Sequence, residues 1–424
     1  MIISNAKVIP GIKHSNSIIN IFHFDNNHKN HFASLSEDGQ LIEWGFDTSQ
    51  NCFVDMGPCT LVRPSEDILT INKHKTPKLK KNDFIRITKS LLFKTFIALG
   101  YEDGLITVYE QNMQNWEQKA NANVESSEPK EDEQQQPESP SNYSCYSNYF
   151  SLYFILLGHT QKVTALHYVD STNMLVTASD TCIIKIYSME NGNSLYHFNL
   201  DCVINYIFYF EKKKDKYIGM ICQEPYKLVI NITKEPLSFN HFTFKYNNIN
   251  QVLHSDQGGF YLLGKTSVIY YFDAVFEFKE QYEDADNVEY TYMCQYKKDF
   301  CLFDAQGFMR YTEINKEKKA IITVFKIKIG DDIMNTSVLV DTSYFMFACG
   351  DGKVYADDIE QEIELYWQRK KMLEEEMISN ELNKQIEGKK GKKGKDKGKG
   401  KGNNNDKDKL PKIKKDKTPS KKKK

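Results

Sequence analysis

Three side chains near the start of the chain have the chemical types of a hydrolase catalytic set: His14, Ser36 and Asp38. A serine, a base and an orienting carboxylate act together when each lies within hydrogen-bond reach of the next. A serine nucleophile of the α/β-hydrolase kind also needs a Gly-x-Ser-x-Gly turn, whereas Ser36 lies in Leu-Ser-Glu-Asp-Gly. The pattern favours a structural hydrogen-bonded set, and it predicts no catalytic residue and no enzyme activity.

Metal and cofactor chemistry is also unsupported by the residue patterns. His23, His28 and His31 in HFDNNHKNH could supply imidazole ligands, but their spacing is typical of a polar turn between two strands. The nine cysteines, from Cys52 to Cys349, form no Cys-x-x-Cys pair, and no phosphate-binding glycine loop is found. We therefore expect no metal, no cofactor and a reducing, intracellular compartment.

The stretch TASDTCIIKIYS, residues 177–188, shows which elements hold such polar side chains. Ile184 and Ile186 alternate with Lys185 and the other polar residues, which is typical of a half-buried strand. The preceding MLVTAS, residues 174–179, has the same character. Two short strands joined by a polar turn predict a β-hairpin.

This hairpin carries a recognisable pattern. The Gly158-His159 pair, the Ser179-Asp180 turn and the Ile-Lys-Ile-Tyr ending resemble, in order and spacing, the WD-repeat (G-protein-beta-like) family. The unit of that family is a four-stranded propeller blade. The resemblance implies an all-β propeller that presents rigid surfaces to other proteins.

The resemblance also implies a hydrogen-bonded His–Ser–Asp–Trp set that ties strands together within a blade. In the first blade its members would be His14, Ser36, Asp38 and Trp44. In the third blade they would be His159 and Ser179, with Thr181 and Tyr187 at the Asp and Trp positions.

The hairpin pattern recurs along the chain, which a propeller requires. Seven copies end at Trp44, Tyr109, Tyr187, Ile230, Phe272, Tyr311 and near Asp357. From the third copy onward the steps are 43, 42, 39 and 46 residues, close to the period of roughly 40–45 residues of a WD repeat. The first two steps, 65 and 78 residues, require insertions. The pattern therefore predicts seven blades within residues 1–358.

The ends and insertions of this domain can also be predicted. Residues 2–9, IISNAKVI, form a spare strand that would complete the last blade and close the ring. The polar stretch 65–83 and the acidic, Pro/Gln/Ser-rich segment 111–150 are too polar to pack a core, and we expect the second to be disordered. YFSLYFILL at 149–157 is too short to span a bilayer, so no membrane association is expected.

A charged helix is predicted after the ring, over residues 359–387. Asp357 and Asp358 suit its start and Gly388 suits its end. Its apolar residues gather loosely on one side: Ile363, Trp367, Leu373, Met377 and Ile378. The pattern leaves open whether this side packs on the ring or binds another protein.

The remaining residues, 388–424, form a basic tail that we expect to be disordered. They contain 18 lysines and four aspartates, a net charge of +14, so residues 1–387 carry −15. The tail has no arginine and no aromatic residue, so polyanion binding through it would be non-specific and salt-dependent. A nuclear import signal or a solvated linker are alternatives. The lysines concerned are Lys412, Lys414, Lys415, Lys417, Lys421, Lys422, Lys423 and Lys424.

Three functions fit these features. The first is a non-enzymatic scaffold for protein partners in the nucleus or cytoplasm, with the tail favouring the nucleus. The second is a non-catalytic subunit of an RNA-processing complex, in ribosome assembly or beside a tRNA guanine methyltransferase, because that partner family is similar in a blade opening on LGHT, a charged helix and a basic tail. The third is a microtubule or ciliary scaffold whose tail contacts acidic tubulin. RNA and acidic protein tails are therefore the expected partners of residues 388–424.

Overall fold

A computed structural model describes most of the chain: residues 2–5, 7–9, 13–23, 32–47, 52–61, 63–64, 69, 84–111, 150–223, 226–233, 237–243, 246, 249–255, 258–264, 267–329, 334–340, 344–349 and 352–392. Nearly all of the insertions predicted at 65–83 and 111–150 lies outside these residues. The tail lysines from Lys412 to Lys424 lie outside them as well.

The described strands form seven blades of four strands in chain order, and blades five and six also join into one sheet through a parallel pairing of their last strands. The chain starts with β1 (Ile2–Asn5) and β2 (Lys7–Val8). Blade one contains β3 (Ile18–His23), β4 (Phe32–Ser36), β5 (Gln40–Asp47) and β6 (Cys52–Thr60). Blade two contains β7 (Ile87–Phe93), β8 (Phe96–Tyr101), β9 (Ile106–Gln111) and β10 (Phe150–Leu156). Blade three contains β11 (Val163–Val169), a 3₁₀ turn (Asp170–Thr172), β12 (Met174–Ser179), β13 (Ile183–Ser188) and β14 (Ser194–Asn199).

The other four blades repeat this order. Blade four contains β15 (Ile204–Lys212), β16 (Asp215–Cys222), β17 (Tyr226–Asn231) and β18 (Ser238–Thr243). Blade five contains β19 (Ile249–His254), β20 (Phe260–Gly264), β21 (Val268–Phe272) and β22 (Phe278–Asp284). Blade six contains β23 (Tyr290–Tyr296), β24 (Asp299–Asp304), β25 (Phe308–Asn315) and β26 (Ala320–Lys328). Blade seven contains β27 (Met334–Val340), β28 (Tyr344–Cys349), β29 (Val354–Asp358) and the N-terminal β2.

The N-terminal strands close the ring, as predicted. Strand β2 pairs antiparallel with β29, with Lys7 opposite Ala356 and Val8 opposite Tyr355. Strand β1 runs parallel to β26 of blade six. The N-terminal strands thus pair with the last two blades, six and seven, which removes a sheet edge that would otherwise stay unpaired.

The repeat pattern read from the sequence coincides with the third strand of every blade. Trp44, Tyr109, Tyr187, Ile230, Phe272, Tyr311 and Asp357 lie on β5, β9, β13, β17, β21, β25 and β29. Among the described residues, seven apolar clusters lie between neighbouring blades around the ring, from blades one and two to blades seven and one. Each blade therefore buries its two faces against its neighbours, which confirms the predicted seven-bladed propeller.

The helix after the ring, α1 (Ile359–Lys392), is longer than the predicted 359–387 and continues past Gly388. A glycine inside a helix costs about 1 kcal/mol relative to alanine, which does not end a helix by itself. The Asp358 carboxylate accepts the Gln361 backbone N–H at the helix start. No helix in the described part of the chain is both long and apolar enough to cross a membrane.

The chain divides into two compact units, and the boundary between them lies within α1. The first unit covers Met1–Tyr366 and includes the first turns of α1, where Ile359 is fully buried and Tyr366 packs on Phe325 with ring centroids 5.6 Å apart. The second unit covers Trp367–Lys424.

Candidate functional site

The polar set of blade one is assembled around Ser34. The Ser34 hydroxyl lies 2.7 Å from His14 Nε2 and accepts a hydrogen bond of 2.8 Å from Trp44 Nε1. All three side chains are buried, and Ser34 is fully inaccessible to solvent. His14 precedes β3, Ser34 lies in β4 and Trp44 lies in β5, so the set links three successive parts of the blade.

The predicted Ser36 belongs to a different group. Its hydroxyl donates to Asp38 Oδ1 in the turn after β4, and Asn16 Nδ2 donates to Asp38 Oδ2 at 2.6 Å. The structure therefore divides the predicted set in two: His14 and Trp44 meet at Ser34, while Ser36 and Asp38 hold the turn.

Strand geometry explains this correction. Ser34 and Ser36 are two residues apart in β4, so their side chains project to the same face. Ser34 lies opposite Ile42, deeper in the blade, whereas Ser36 ends the strand. The two serines are chemically identical, so the sequence indicates the face but not which serine reaches the histidine.

Blade three shows the same shift of two residues. His159 Nε2 lies 2.7 Å from Thr177 Oγ1, while the predicted Ser179 is 2.7 Å from Thr181 Oγ1 in the turn. Tyr187 occupies the position of Trp44, but its hydroxyl donates to the Leu157 carbonyl at 2.8 Å. The sequence does contain a signal for the correct hydroxyl: a second hydroxyl residue, Ser34 or Thr177, stands two positions before each predicted serine.

The electrostatics of the two histidine–hydroxyl sets are typical of structural hydrogen bonds rather than of a catalytic site. Burial lowers the pKa of His14 to about 4, against an opposing effect of the Asp38 carboxylate. Burial also lowers the pKa of His159 to about 4, and the nearby Lys185 ammonium lowers it further. Both imidazoles are therefore neutral at pH 7. Because Ser34 is sealed from solvent and accepts the Trp44 N–H, its hydroxyl cannot attack a substrate in this arrangement.

Two ion pairs of buried aspartates were not predicted from the sequence. Asp103, in the turn of blade two, pairs with Arg63 from the segment after blade one. Asp304, the last residue of β24, pairs with Arg310 at 2.8 Å on the next strand. The turn aspartate thus recurs as Asp38 and Asp103, with Ser36 as its partner in blade one and Arg63 in blade two, whereas Asp304 stands at the position of Ser36. Only the recurrence can be read from the sequence.

Of the three histidines in the histidine-rich stretch, the structure describes only one. His23 ends β3, whereas His28 and His31 lie outside the described residues. Within the parts of the chain that are described, no three His, Cys, Asp or Glu side chains are grouped as metal ligands would be.

The α1 residues that were expected on one side are divided between buried and exposed positions. Ile363 packs on the apolar cluster between blades six and seven. Leu373, Met377 and Ile378 are 46%, 60% and 66% exposed, and Trp367 is half exposed.

Seven antiparallel blades, an N-terminal strand that completes the last one and histidine–hydroxyl contacts within blades define a WD-repeat β-propeller fold. Solved structures show the same fold. The chain resembles the "Structure of U3-55K" with a TM-score of 0.56 at 10% identity, covering 84% of this chain and 98% of that one. It resembles the "Crystal structure of RRP9 WD40 repeats" with a TM-score of 0.57 at 9% identity, covering 84% and 97%.

These likenesses define the fold alone. No family model and no curated protein matches the chain. In total, 1630 chains of solved structures match this one. The fold by itself therefore does not select one function among those that propellers serve.

Proposed function

We propose that this chain is a non-enzymatic scaffold that binds protein partners through its propeller and through α1. The observation that carries the proposal is the set of exposed apolar side chains in the second compact unit. Leu373 and Met377 are one helical turn apart and therefore share a face, and Ile378 lies beside Met377. Exposed apolar side chains grouped on one element are typical of protein interaction sites.

The surroundings of this face favour a helix-in-groove contact. Most other residues of α1 from Lys370 to Glu381 are charged or polar, so the helix would present a narrow apolar strip with a charged rim. In such contacts a few apolar anchors supply most of the binding free energy.

Affinity purification from cells tests the scaffold role. A Leu373→Ser/Met377→Ser variant should lose a defined group of co-purifying proteins that the full-length wild type retains. Glu374→Ser/Glu375→Ser on the same helix is the matched control, because it changes two exposed residues without altering the apolar face. Identical protein sets from all three chains would contradict a role for this face.

The proteins recovered also separate the specific roles. Ribosomal precursor proteins or a tRNA methyltransferase would indicate an RNA-processing complex, and tubulin or axonemal proteins would indicate a microtubule scaffold.

We also propose that the basic tail binds polyanions without sequence preference. Residues 393–424, beyond α1, contain 15 lysines and four aspartates, a net charge of +11. Counterion release makes such binding fall steeply as salt increases. RNA titrations at two salt concentrations should show this loss for the full chain, and a chain ending at Lys392 should bind far more weakly at low salt. Equal RNA affinity of both chains would place the binding surface on the propeller.

A further inference from the structure

A polar pocket lies where the first strands of blades two, three and four begin. Its volume is about 560 Å³, within the range of small-ligand sites. Its lining includes the polar residues Lys89, Lys162, Thr164, Asp180, Asn205, Tyr206 and Gln223. These residues come from three neighbouring blades, so only the packing of blades against one another brings them together.

Repeated backbone hydrogen bonds hold the lining in place. The Asp180 N–H donates to the Lys162 carbonyl at 2.9 Å, and the Gln223 N–H donates to the Val203 carbonyl at 2.8 Å. The same bond thus joins the loop before the first strand to the turn after the second strand in blades three and four. The pocket is therefore built from ordered loops of equivalent position.

Bulges place two further polar side chains in the pocket. Each first strand has a register shift after its first residue, and Thr164 and Asn205 occupy that position in β11 and β15. Bulges redirect side chains and recur beside functional sites. The equivalent Thr88 of blade two donates its hydroxyl to the Val163 carbonyl at 2.7 Å. Thr164 Oγ1, by contrast, is buried and has no hydrogen-bond partner among the described residues.

Two lysines, Lys89 and Lys162, line the pocket together with this unpartnered hydroxyl. Burial lowers the pKa of Lys89, and repulsion from Lys162 lowers it further. No described carboxylate forms an ion pair with either lysine. Asp180 and Lys162 also line the pocket and are exposed, so the two lysines leave the lining with a net charge of one positive unit. A desolvated Lys89 ammonium and a buried Thr164 hydroxyl without partners are costly, so a bound anion would relieve both costs.

We propose that this pocket binds the phosphate group of a small phosphorylated molecule. A phosphate monoester carries a charge of about −1.5 to −2 and three acceptor oxygens. Lys89 and Lys162 supply the positive charge, and the Thr164 hydroxyl and the Asn205 and Gln223 amides supply neutral donors. This ligand site is separate from α1 and from the tail, and it goes beyond the scaffold function.

Calorimetric titration of the full chain with inorganic phosphate, at constant ionic strength, tests the proposal. Lys89→Met and Thr164→Val each remove one donor, and Lys318→Met removes an exposed lysine of blade six as the matched control. Lys89→Met should weaken phosphate binding about tenfold to a hundredfold, as expected for a lost charge-assisted hydrogen bond. Lys318→Met should bind as the wild type does, because the tail is present in every chain and contributes equally.

Thermal unfolding supplies a second readout that separates binding from folding. Without phosphate, Lys89→Met and Thr164→Val should melt no lower than the wild type, since each removes a buried group without a partner. With phosphate, only the wild type and Lys318→Met should show the full rise in Tm.

Three results would overturn the proposal: no saturable phosphate binding by the wild type, equal affinity of wild type and Lys89→Met, or an undiminished phosphate-induced rise in Tm for Thr164→Val. Binding of a phosphoserine peptide that depends on Lys89, with no binding of inorganic phosphate, would replace the small ligand by a phosphorylated protein.

Discussion

Blades one and three place a buried histidine against a buried hydroxyl at the same distance of 2.7 Å, yet they use their aromatic residues differently. Trp44 donates to Ser34, so the histidine, the serine and the indole of blade one form one connected group. Tyr187 instead donates to the Leu157 carbonyl. The comparison shows that the histidine–hydroxyl contact is the shared element, and that the aromatic residue can be tied to the blade in more than one way.

The largest expected effect is the loss of Ser34. Ser34→Ala leaves both His14 Nε2 and Trp44 Nε1 buried without a partner, which should lower the free energy of unfolding by about 2–5 kcal/mol. Ser36→Ala is the matched control, since it removes only a hydroxyl of the Asp38 turn and should cost about 1 kcal/mol. Urea denaturation of the two variants measures the difference.

Blade three should respond less. Thr177→Val leaves only His159 Nε2 without its partner, so its cost should fall between those of Ser34→Ala and Ser36→Ala. A larger loss for Ser36→Ala than for Ser34→Ala would contradict the division of the predicted set.

The next effect in size is a loss of stability in mild acid. His14 and His159 have folded-state pKa values of about 4, below the ordinary histidine value of 6.5, so protons bind the unfolded chain more readily. Stability is therefore fully present above pH 6.5 and is lost as the pH falls toward 4, by about 2 kcal/mol per histidine at pH 5. The measurement is the urea midpoint of the wild type and of His159→Gln between pH 7 and pH 5.

The variant should show a smaller decrease over that interval, although it starts from a lower stability at pH 7. His167, whose pKa burial also lowers to about 4, remains in both proteins and contributes equally. Parallel pH profiles for the two proteins would mean that His159 does not titrate in this range.

The smallest effect concerns the aromatic residue itself. Tyr187→Phe keeps the buried ring and removes one hydrogen bond to the Leu157 carbonyl, so it should cost about 1 kcal/mol. The pKa of His159, followed by NMR titration, should not change, because Tyr187 donates to the backbone and not to the histidine–hydroxyl pair. A clear shift in the pKa of His159 would show that Tyr187 is coupled to the histidine–hydroxyl pair of blade three, as Trp44 is in blade one.

Much of the fold could be predicted because it depends on local, repeated patterns. The strand-ending residues Trp44, Tyr109 and Tyr187 mark third strands, since alternation and turn residues are properties of short stretches. Residues 2–9 were expected on the last blade because that blade lacked a fourth strand; Lys7–Val8 do pair there, whereas Ile2–Asn5 pair with blade six. The end of α1 was placed too early, because one glycine among good helix formers is a weak stop signal.

The polar sets could be predicted only in part. Residue types and spacing indicated that His14, Trp44 and a serine of β4 belong together. Residue types and spacing could not choose between Ser34 and Ser36, because both side chains lie on one face of β4. Only the register of β4 against β5 decides which serine contacts His14 and Trp44. The arginines that pair with Asp103 and Asp304 lie at unequal sequence distances, so no fixed spacing announces them.

The sequence by itself determined the propeller, its seven repeats and the separation of an acidic ring from a basic tail, since periodicity and charge are properties of the chain as written. Only the tertiary structure decided which hydroxyls contact the histidines. It also decided that Lys89, Lys162 and Thr164 share one pocket, although up to 75 residues separate them. The physical reason is the packing of blades: neighbouring blades place the starts of their first strands side by side, and that proximity has no counterpart in local sequence.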